Sequence, residues 1–350
     1  MDLFKPVSRG AVSAVVRNGY THDNAKRVRM RPLFLVRCAD AVILSRPLLW
    51  IPVWGFSIFG YVCGLRSLGR SSLGAAWTSP LSVPAWMFVF SFSVGAVYVY
   101  NQIADKEVDA MNSGFPLLAR GNVPLRLAWI TAACLALASV LIPLGKRPLL
   151  SVFSLLALAV GFVYSAKPTH LSGRFIADFL ANAVGYALIA FGAGWYLTGA
   201  PFGIQFILSS VPYFFLMCAG SISSTLPDYE GDRKCGKKTT AVTLGVGPAH
   251  KIASLFIAAG LLSSLLVRDW TAAACASVAV PLYCAFLFRN TARTMESTYK
   301  IGGMILMLAA AVLYPYLAPA SLLSLLITMV YFRMRFHVRY PSLVPDRSKP

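Results

Sequence analysis

The chain has 350 residues, of which 57% are hydrophobic and only 13% charged, and its mean hydropathy is +0.65. A water-soluble domain of this length carries about 25% charged residues, so a soluble fold is excluded and a polytopic membrane protein is expected. The net charge of +19, from 32 basic and 13 acidic residues, has three readings: nucleic-acid contact, anionic-lipid contact, or basic loops that set membrane orientation.

Residues 1–40 hold eight basic side chains, including the run KRVRMR at 26–31. They read as a cytoplasmic or interfacial arm and carry no early apolar region with a small-residue cleavage site. Apolar segments follow at roughly 41–64, 82–100, 127–145, 148–165, 175–198, 206–226, 251–267, 271–288 and 301–318. Each is near membrane-spanning length. A shorter segment at 320–333, flanked by Pro315 and Pro319, reads as a short tenth helix or a re-entrant piece. The expected fold is therefore an all-α bundle of about nine transmembrane helices. It comprises a 1–40 arm, a 41–333 membrane domain and a basic 334–350 tail.

Short connectors at Lys146-Arg147 and Arg268-Asp269 imply antiparallel hairpins. With the N-terminus on the cytoplasmic side, thirteen basic residues fall in cytoplasmic loops and only Arg66, Arg70, Lys146, Arg147 and Arg268 on the opposite side. That bias orients the bundle and leaves no nucleic-acid partner to be expected. The seven cysteines form no CxxC pair and the four histidines no HExxH, so they read as buried hydrophobes and isolated rings rather than a zinc site.

Six of the thirteen acidic residues lie in two short stretches, NQIADKEVD at 101–109 and DYEGD at 228–232. Asn101, Asp105 and Asp109 are spaced i, i+4, i+8, which on a continuing helix puts three oxygen-bearing side chains on one face. Asp105 and Asp228 are 123 residues apart, each opening a DxxxD at the end of an even-numbered span. Two like four-helix units, related by an axis along the membrane normal, would bring these ends face to face. Carboxylates at i and i+4 repel unless a cation neutralises them. No His or Cys adjoins them in sequence, so a hard divalent ion such as Mg²⁺, shared with substrate phosphates, is expected. Arg46, Lys167, Arg174, Arg233, Lys237 and Lys238 lie in the same layer and suit a diphosphate leaving group.

At this point the residues resemble a family, the UbiA-type intramembrane prenyltransferases. NQIADKEVD resembles their NxxxDxxxD motif, and PDYEGDRKCGKKTTAV their second aspartate motif with its basic, glycine-containing extension. YSAKP at 164–168 and SRP at 45–47 resemble their Tyr-containing and Arg-Pro motifs, and the likeness runs over about residues 40–318. It implies Asn101, Asp105, Asp109, Asp228 and Asp232 as Mg²⁺ positions, Tyr164 as a catalytic tyrosine, and Arg46 and Lys167 as diphosphate contacts. Lys237 joins them from the basic extension. Two departures, GFPLLARG after the first motif and a lysine three residues after Tyr164, bring in Arg120 and Arg174 as substitutes. Tyr98, Tyr100, Tyr164 and Tyr186 are candidates to shelter an allylic cation. Asp178 and Asn182, polar and one helical turn apart within an apolar span, are candidates to orient the acceptor.

The expected function is Mg²⁺-dependent transfer of a prenyl group from an isoprenoid diphosphate to a lipophilic or aromatic acceptor, with membrane lipids as surroundings. A bacterial inner membrane is favoured over an organelle membrane. A terpene cyclase on the same scaffold is the alternative, and an ion or metabolite transporter the third reading.

Overall fold

The computed structural model describes residues 33–70, 81–106, 116–119, 121–337 and 340. The chain divides after Asp40. Of the first unit, the described part begins the helix Leu33–Leu44, and KRVRMR lies outside the described residues.

The second unit is helical. After a 3₁₀ turn at Pro47–Leu49 come α1 (Trp50–Ser67), α2 (Ser82–Ala104), α3 (Leu125–Leu144), α4 (Pro148–Ser165), α5 (Ala177–Tyr196), α6 (Ile204–Thr225), α7 (Val246–Leu266), α8 (Trp270–Arg289), α9 (Ala292–Leu313) and α10 (Leu317–Phe336). The ten spans among the described residues are long and apolar enough to cross a membrane, and the protein is an integral multi-pass membrane protein.

α1 is the hub. Gly55 through Leu65 are all buried, whereas α3 and α9 turn Leu137, Leu141, Leu308 and Val312 outward, as helices bathed in lipid do. The seam between α1 and α5 brings backbone against backbone. A Cβ on Gly60 would lie 1.8 Å from the Phe191 carbonyl oxygen, and one on Gly194 1.7 Å from that of Ser57. Small residues allow this approach, and van der Waals packing is what holds helices together where lipid removes the hydrophobic drive.

Three boundaries differ from the sequence expectation. α9 begins at Ala292 rather than near 301, because Thr291 and Thr294 form a reciprocal capping box that carries the polar ARTMESTYK stretch into the helix. α10 has 20 residues and is not a short piece: Pro319 falls in its first turn, where a missing N–H costs nothing, and Pro315 lies in the connection before it. The regular helix α2 ends at Ala104, with Asp105 as its C-cap, so the expected helical face is seen for Asn101 and Asp105. Asp109 lies outside the described residues.

α5 is not uniform. Between Ala177–Ala183 and Phe191–Tyr196 it winds as a π-helix over Val184–Ala190. Such widened turns are uncommon and frequently mark functional sites. This one presents Gly185, Tyr186 and Ala190 to an internal cavity.

Candidate active site

The site is assembled at the end of the bundle where α2, α4 and α6 finish and α5 begins. Asn101, in the last turn of α2, donates from Nδ2 to Asp105 Oδ2 at 2.9 Å and to Ser165 Oγ, the last residue of α4, at 3.1 Å. The other carboxylate oxygen, Oδ1, lies 3.5 Å from His170 Nε2. No sequence spacing joins these two residues. His170 arrives there through a left-handed backbone (φ 39°, ψ 58°) in the loop after YSAKP, a conformation that histidine tolerates better than most residues. The inference from sequence that no imidazole stands beside the acidic stretches is thus corrected in three dimensions.

The second acidic stretch follows α6. Pro227 helps tighten the end of the helix into a 3₁₀ turn at Leu226–Asp228, after which Tyr229–Lys234 is helical again. Asp228 is exposed, and among the described residues it accepts no hydrogen bond. Asp232 is buried and pairs with Lys237 Nζ at 3.2 Å. Asp228 and Asp232 lie within electrostatic reach of each other.

Between the segment that follows α4 and the one that follows α6 is a cavity of about 660 Å³ lined by Lys167, His170, Arg174, Lys237 and Lys238, with Gly173, Cys235 and Gly236 also on its walls. His170 on its wall touches Asp105 and Lys237 on its wall touches Asp232. Each acidic stretch, distant in sequence from the other, thus contacts a wall residue of the same cationic cavity. Arg174 is braced by donating from Nη2 to the Pro168 carbonyl at 2.6 Å.

Deeper in the bundle lies a second cavity, about 120 Å³, lined by Asn101, Tyr98, Tyr164, Asn182 and Tyr186 among small aliphatic residues. Tyr98 and Tyr186 hydrogen-bond hydroxyl to hydroxyl across α2 and α5. Asn182 donates to Ser221 Oγ of α6 at 2.9 Å and lies 3.5 Å from the Tyr164 hydroxyl. Arg46, itself left-handed (φ 53°, ψ 64°), is within electrostatic reach of Tyr98.

Several sequence-selected residues are thus brought together: Asn101, Tyr98, Tyr164, Tyr186 and Asn182 line the inner cavity, with Asp105 bonded to Asn101 and Arg46 in electrostatic reach of Tyr98, while Lys167, Arg174 and Lys237 line the outer one, which Asp232 adjoins through Lys237 with Asp228 in its electrostatic reach. Two are not. Tyr100, two residues beyond Tyr98, points to the other side of α2 and stacks on Phe162 at 5.2 Å, because two helical steps turn the side chain about 200°. Asp178 faces away from the inner cavity, and both its oxygens accept from Thr240. Asp109 and Arg120 lie outside the described residues. His170, Ser165 and Thr240 were not selected from the sequence. The position of Thr240 in the basic extension of the second acidic stretch and that of Ser165 within YSAKP could have pointed to them.

Among the described residues no three His, Cys, Asp or Glu side chains gather closely enough to ring a metal ion. The donors present are amide and carboxylate oxygens in separate small groups, Asn101 with Asp105 and Asp228 with Asp232. That is a set suited to a hard divalent cation whose remaining positions are filled by water and a phosphate ligand.

Comparison with known proteins agrees with the architecture. The model of the UbiA prenyltransferase family matches residues 67–304. Over 225 residues the chain is 32% identical to the probable homogentisate phytyltransferase 2, chloroplastic, of Oryza sativa subsp. japonica, covering 59% of this chain and 55% of that protein. It is 27% identical over 176 residues to the digeranylgeranylglyceryl phosphate synthase of Saccharolobus solfataricus, covering 48% of this chain and 59% of that one. The chain therefore spans a little over half the length of these curated relatives. A UbiA homolog from Archaeoglobus fulgidus bound to DMAPP and Mg²⁺ superposes with a TM-score of 0.62 at 20% identity, over 80% of this chain and 99% of its own, a likeness of fold. With more than half of its length matched by the family, and an acidic, cationic and aromatic site where its spans end, the chain belongs to the UbiA prenyltransferase family.

Proposed function

We propose that this protein transfers a prenyl group from an isoprenoid diphosphate to a lipophilic or aromatic acceptor, with Mg²⁺ held by Asn101, Asp105, Asp228 and Asp232, and by Asp109. The observation that carries the proposal is one cationic cavity whose wall residues reach both acidic stretches, His170 to Asp105 and Lys237 to Asp232.

Lys167, Arg174 and Lys237, with Lys238 beside them, bind the diphosphate oxygens, and Arg46 and Arg120 add positive charge. When bound, Mg²⁺ supplies positive charge that stabilises the departing pyrophosphate. The carbon–oxygen bond of the prenyl diphosphate breaks and its electron pair leaves with pyrophosphate. Tyr98, Tyr164 and Tyr186 present ring faces to the allylic cation in the inner cavity, where the low dielectric strengthens each such contact. The acceptor's nucleophilic atom then bonds to the allylic carbon and releases a proton. Asn182, on the cavity wall, orients the acceptor. The acidic rim lies on the cytoplasmic side, as the distribution of basic loops favours.

Purified protein in lipid nanodiscs, incubated with Mg²⁺, prenyl diphosphates of several lengths and a lipid extract, tests the reading by mass spectrometry. The expected result is a prenylated acceptor and stoichiometric pyrophosphate, both lost in Asp105→Ala and Asp228→Ala. A cyclic hydrocarbon formed without acceptor overturns the transfer step in favour of cyclisation. Solute uptake without pyrophosphate release overturns the enzyme reading altogether.

A further inference from the structure

The loops that carry the cationic cavity are fastened to each other by a buried ring of hydrogen bonds that neither acidic stretch supplies. Asp178, in the first turn of α5, is 2% exposed, and Thr240, which opens a short helix (Thr240–Leu244) in the connection between α6 and α7, is 1% exposed. The Thr240 amide donates to Asp178 Oδ2 at 2.7 Å and the Thr240 hydroxyl to Oδ1 at 2.6 Å. Oδ1 also accepts from the Phe179 amide at 2.9 Å. The same Thr240 hydroxyl accepts the Ile176 amide at 3.0 Å. Ile176 has φ 66° and ψ −44°, a region that β-branched residues enter only where the surroundings compel them. A few residues along each loop, the Lys238 amide donates to the Gly173 carbonyl at 2.8 Å.

The effect is a joint between two segments 62 residues apart. On one side of it are Lys167 and Arg174, on the other Lys237 and Lys238, and all four line the outer cavity. A buried carboxylate receiving three donors is a strong, directional fastening, and Thr240 closes it by donating and accepting at once. We infer that Asp178 and Thr240 are positioning residues, which hold the two cationic loops at the separation that lets both grip one diphosphate. The inference rests on the diphosphate reading of that cavity. Neither residue touches the ligand. Asp178, a candidate for acceptor contact from sequence, takes this other role.

The test uses the full chain in nanodiscs, with magnesium pyrophosphate as probe because it reports the headgroup alone. Thr240→Val keeps the shape and removes both roles of the hydroxyl, Thr240→Ser keeps them, and Asp178→Asn turns one acceptor into a donor facing a donor. By calorimetry, Thr240→Val and Asp178→Asn are expected to weaken pyrophosphate binding by about tenfold or more, with Thr240→Ser within about twofold of the parent. A joint that served folding alone would lower the thermal midpoint in both variants and leave the affinity of the folded fraction unchanged, and that result overturns the inference. If the variants do not fold, hydrogen exchange on the parent decides. Amides of 171–178 and 236–244 should be protected together and gain protection with pyrophosphate, whereas independent exchange, unaltered by the probe, overturns it. No pyrophosphate binding by the parent protein defeats the diphosphate reading itself, a separate outcome from normal binding in Thr240→Val.

Discussion

Among the described residues, Asp105 at the acidic rim accepts one side-chain hydrogen bond, from Asn101, and has His170 at 3.5 Å, while Asp228 is exposed. At the opposite end of the bundle Asp269 caps the N-terminus of α8 and is 5% exposed. Its Oδ1 accepts from Arg66 Nη1 at 3.2 Å and from the amides of Thr271 and Ala272, and its Oδ2 from the Tyr213 hydroxyl at 2.9 Å and the Cys63 thiol at 3.5 Å. Both ends place carboxylates where helices finish, yet one is saturated with donors and the other is left with acceptor capacity. A saturated carboxylate fixes geometry and has nothing left to offer a ligand. An under-coordinated one, flanked by cations and open to solvent, can bind a metal or a phosphate-bearing partner without first breaking bonds inside the protein.

Removing one acid from each end separates the two roles. Asp269→Ala removes the cap of α8 and leaves the buried Tyr213 hydroxyl without its acceptor, while Arg66 keeps the Thr271 hydroxyl at 3.3 Å; it should cost about 2–4 kcal/mol, read as a large drop in thermal midpoint and in monodisperse yield. Asp105→Ala should leave the thermal midpoint unchanged or slightly raised, since a site built for a ligand is not optimised for stability. Pyrophosphate release should nevertheless fall by about 10²–10³-fold, the scale of losing one electrostatic stabiliser of a leaving group. Reversed results, a stable Asp269→Ala and an unfolded Asp105→Ala, would exchange the roles of the two ends.

A smaller effect sharpens the contrast. Tyr213→Phe deletes one donor to Asp269 while keeping the ring stacked on Phe59 at 4.6 Å. It should cost about 1.5–3 kcal/mol, as for a hydrogen bond to a charged group, again in stability and not in pyrophosphate affinity. Tyr164→Phe removes a hydroxyl whose neighbour Asn182 is already bonded to Ser221. Its thermal midpoint should shift little, and any loss should appear in turnover.

What could be read from the chain beforehand follows from the range over which each signal acts. The spans were legible because lipid requires long uninterrupted apolar helices, and the acidic stretches because so few acids exist elsewhere. Asn101 and Asp105 are one helical turn apart, so their contact is local. His170 beside Asp105 is a tertiary event created by a left-handed residue in a loop, and no periodicity announces it. Thr240 looked like one polar residue in a basic loop, and Asp269 like a hairpin turn between α7 and α8, although each sits in a buried network. Tyr98 and Tyr100 were read alike because both lie near the end of α2, yet the helix sends them to opposite faces. Composition locates charge along the membrane normal, but only the packed fold decides which charges are satisfied.

A charge outside both acidic stretches provides the control. Glu296, near the start of α9 at the acidic end, pairs with Lys300 at 2.6 Å on an exposed surface, and Tyr299 is within electrostatic reach of both Glu296 and Asp228. Glu296→Gln removes a negative charge from the neighbourhood of Asp228 without touching either acidic stretch. An exposed i, i+4 pair contributes below about 0.5 kcal/mol, so neither thermal midpoint nor pyrophosphate release should move measurably. Should release fall as far as in Asp228→Ala, the rim would be acting as a diffuse negative field, not through carboxylates in particular places. The under-coordination of Asp105 and Asp228 would then no longer explain their part in the reaction.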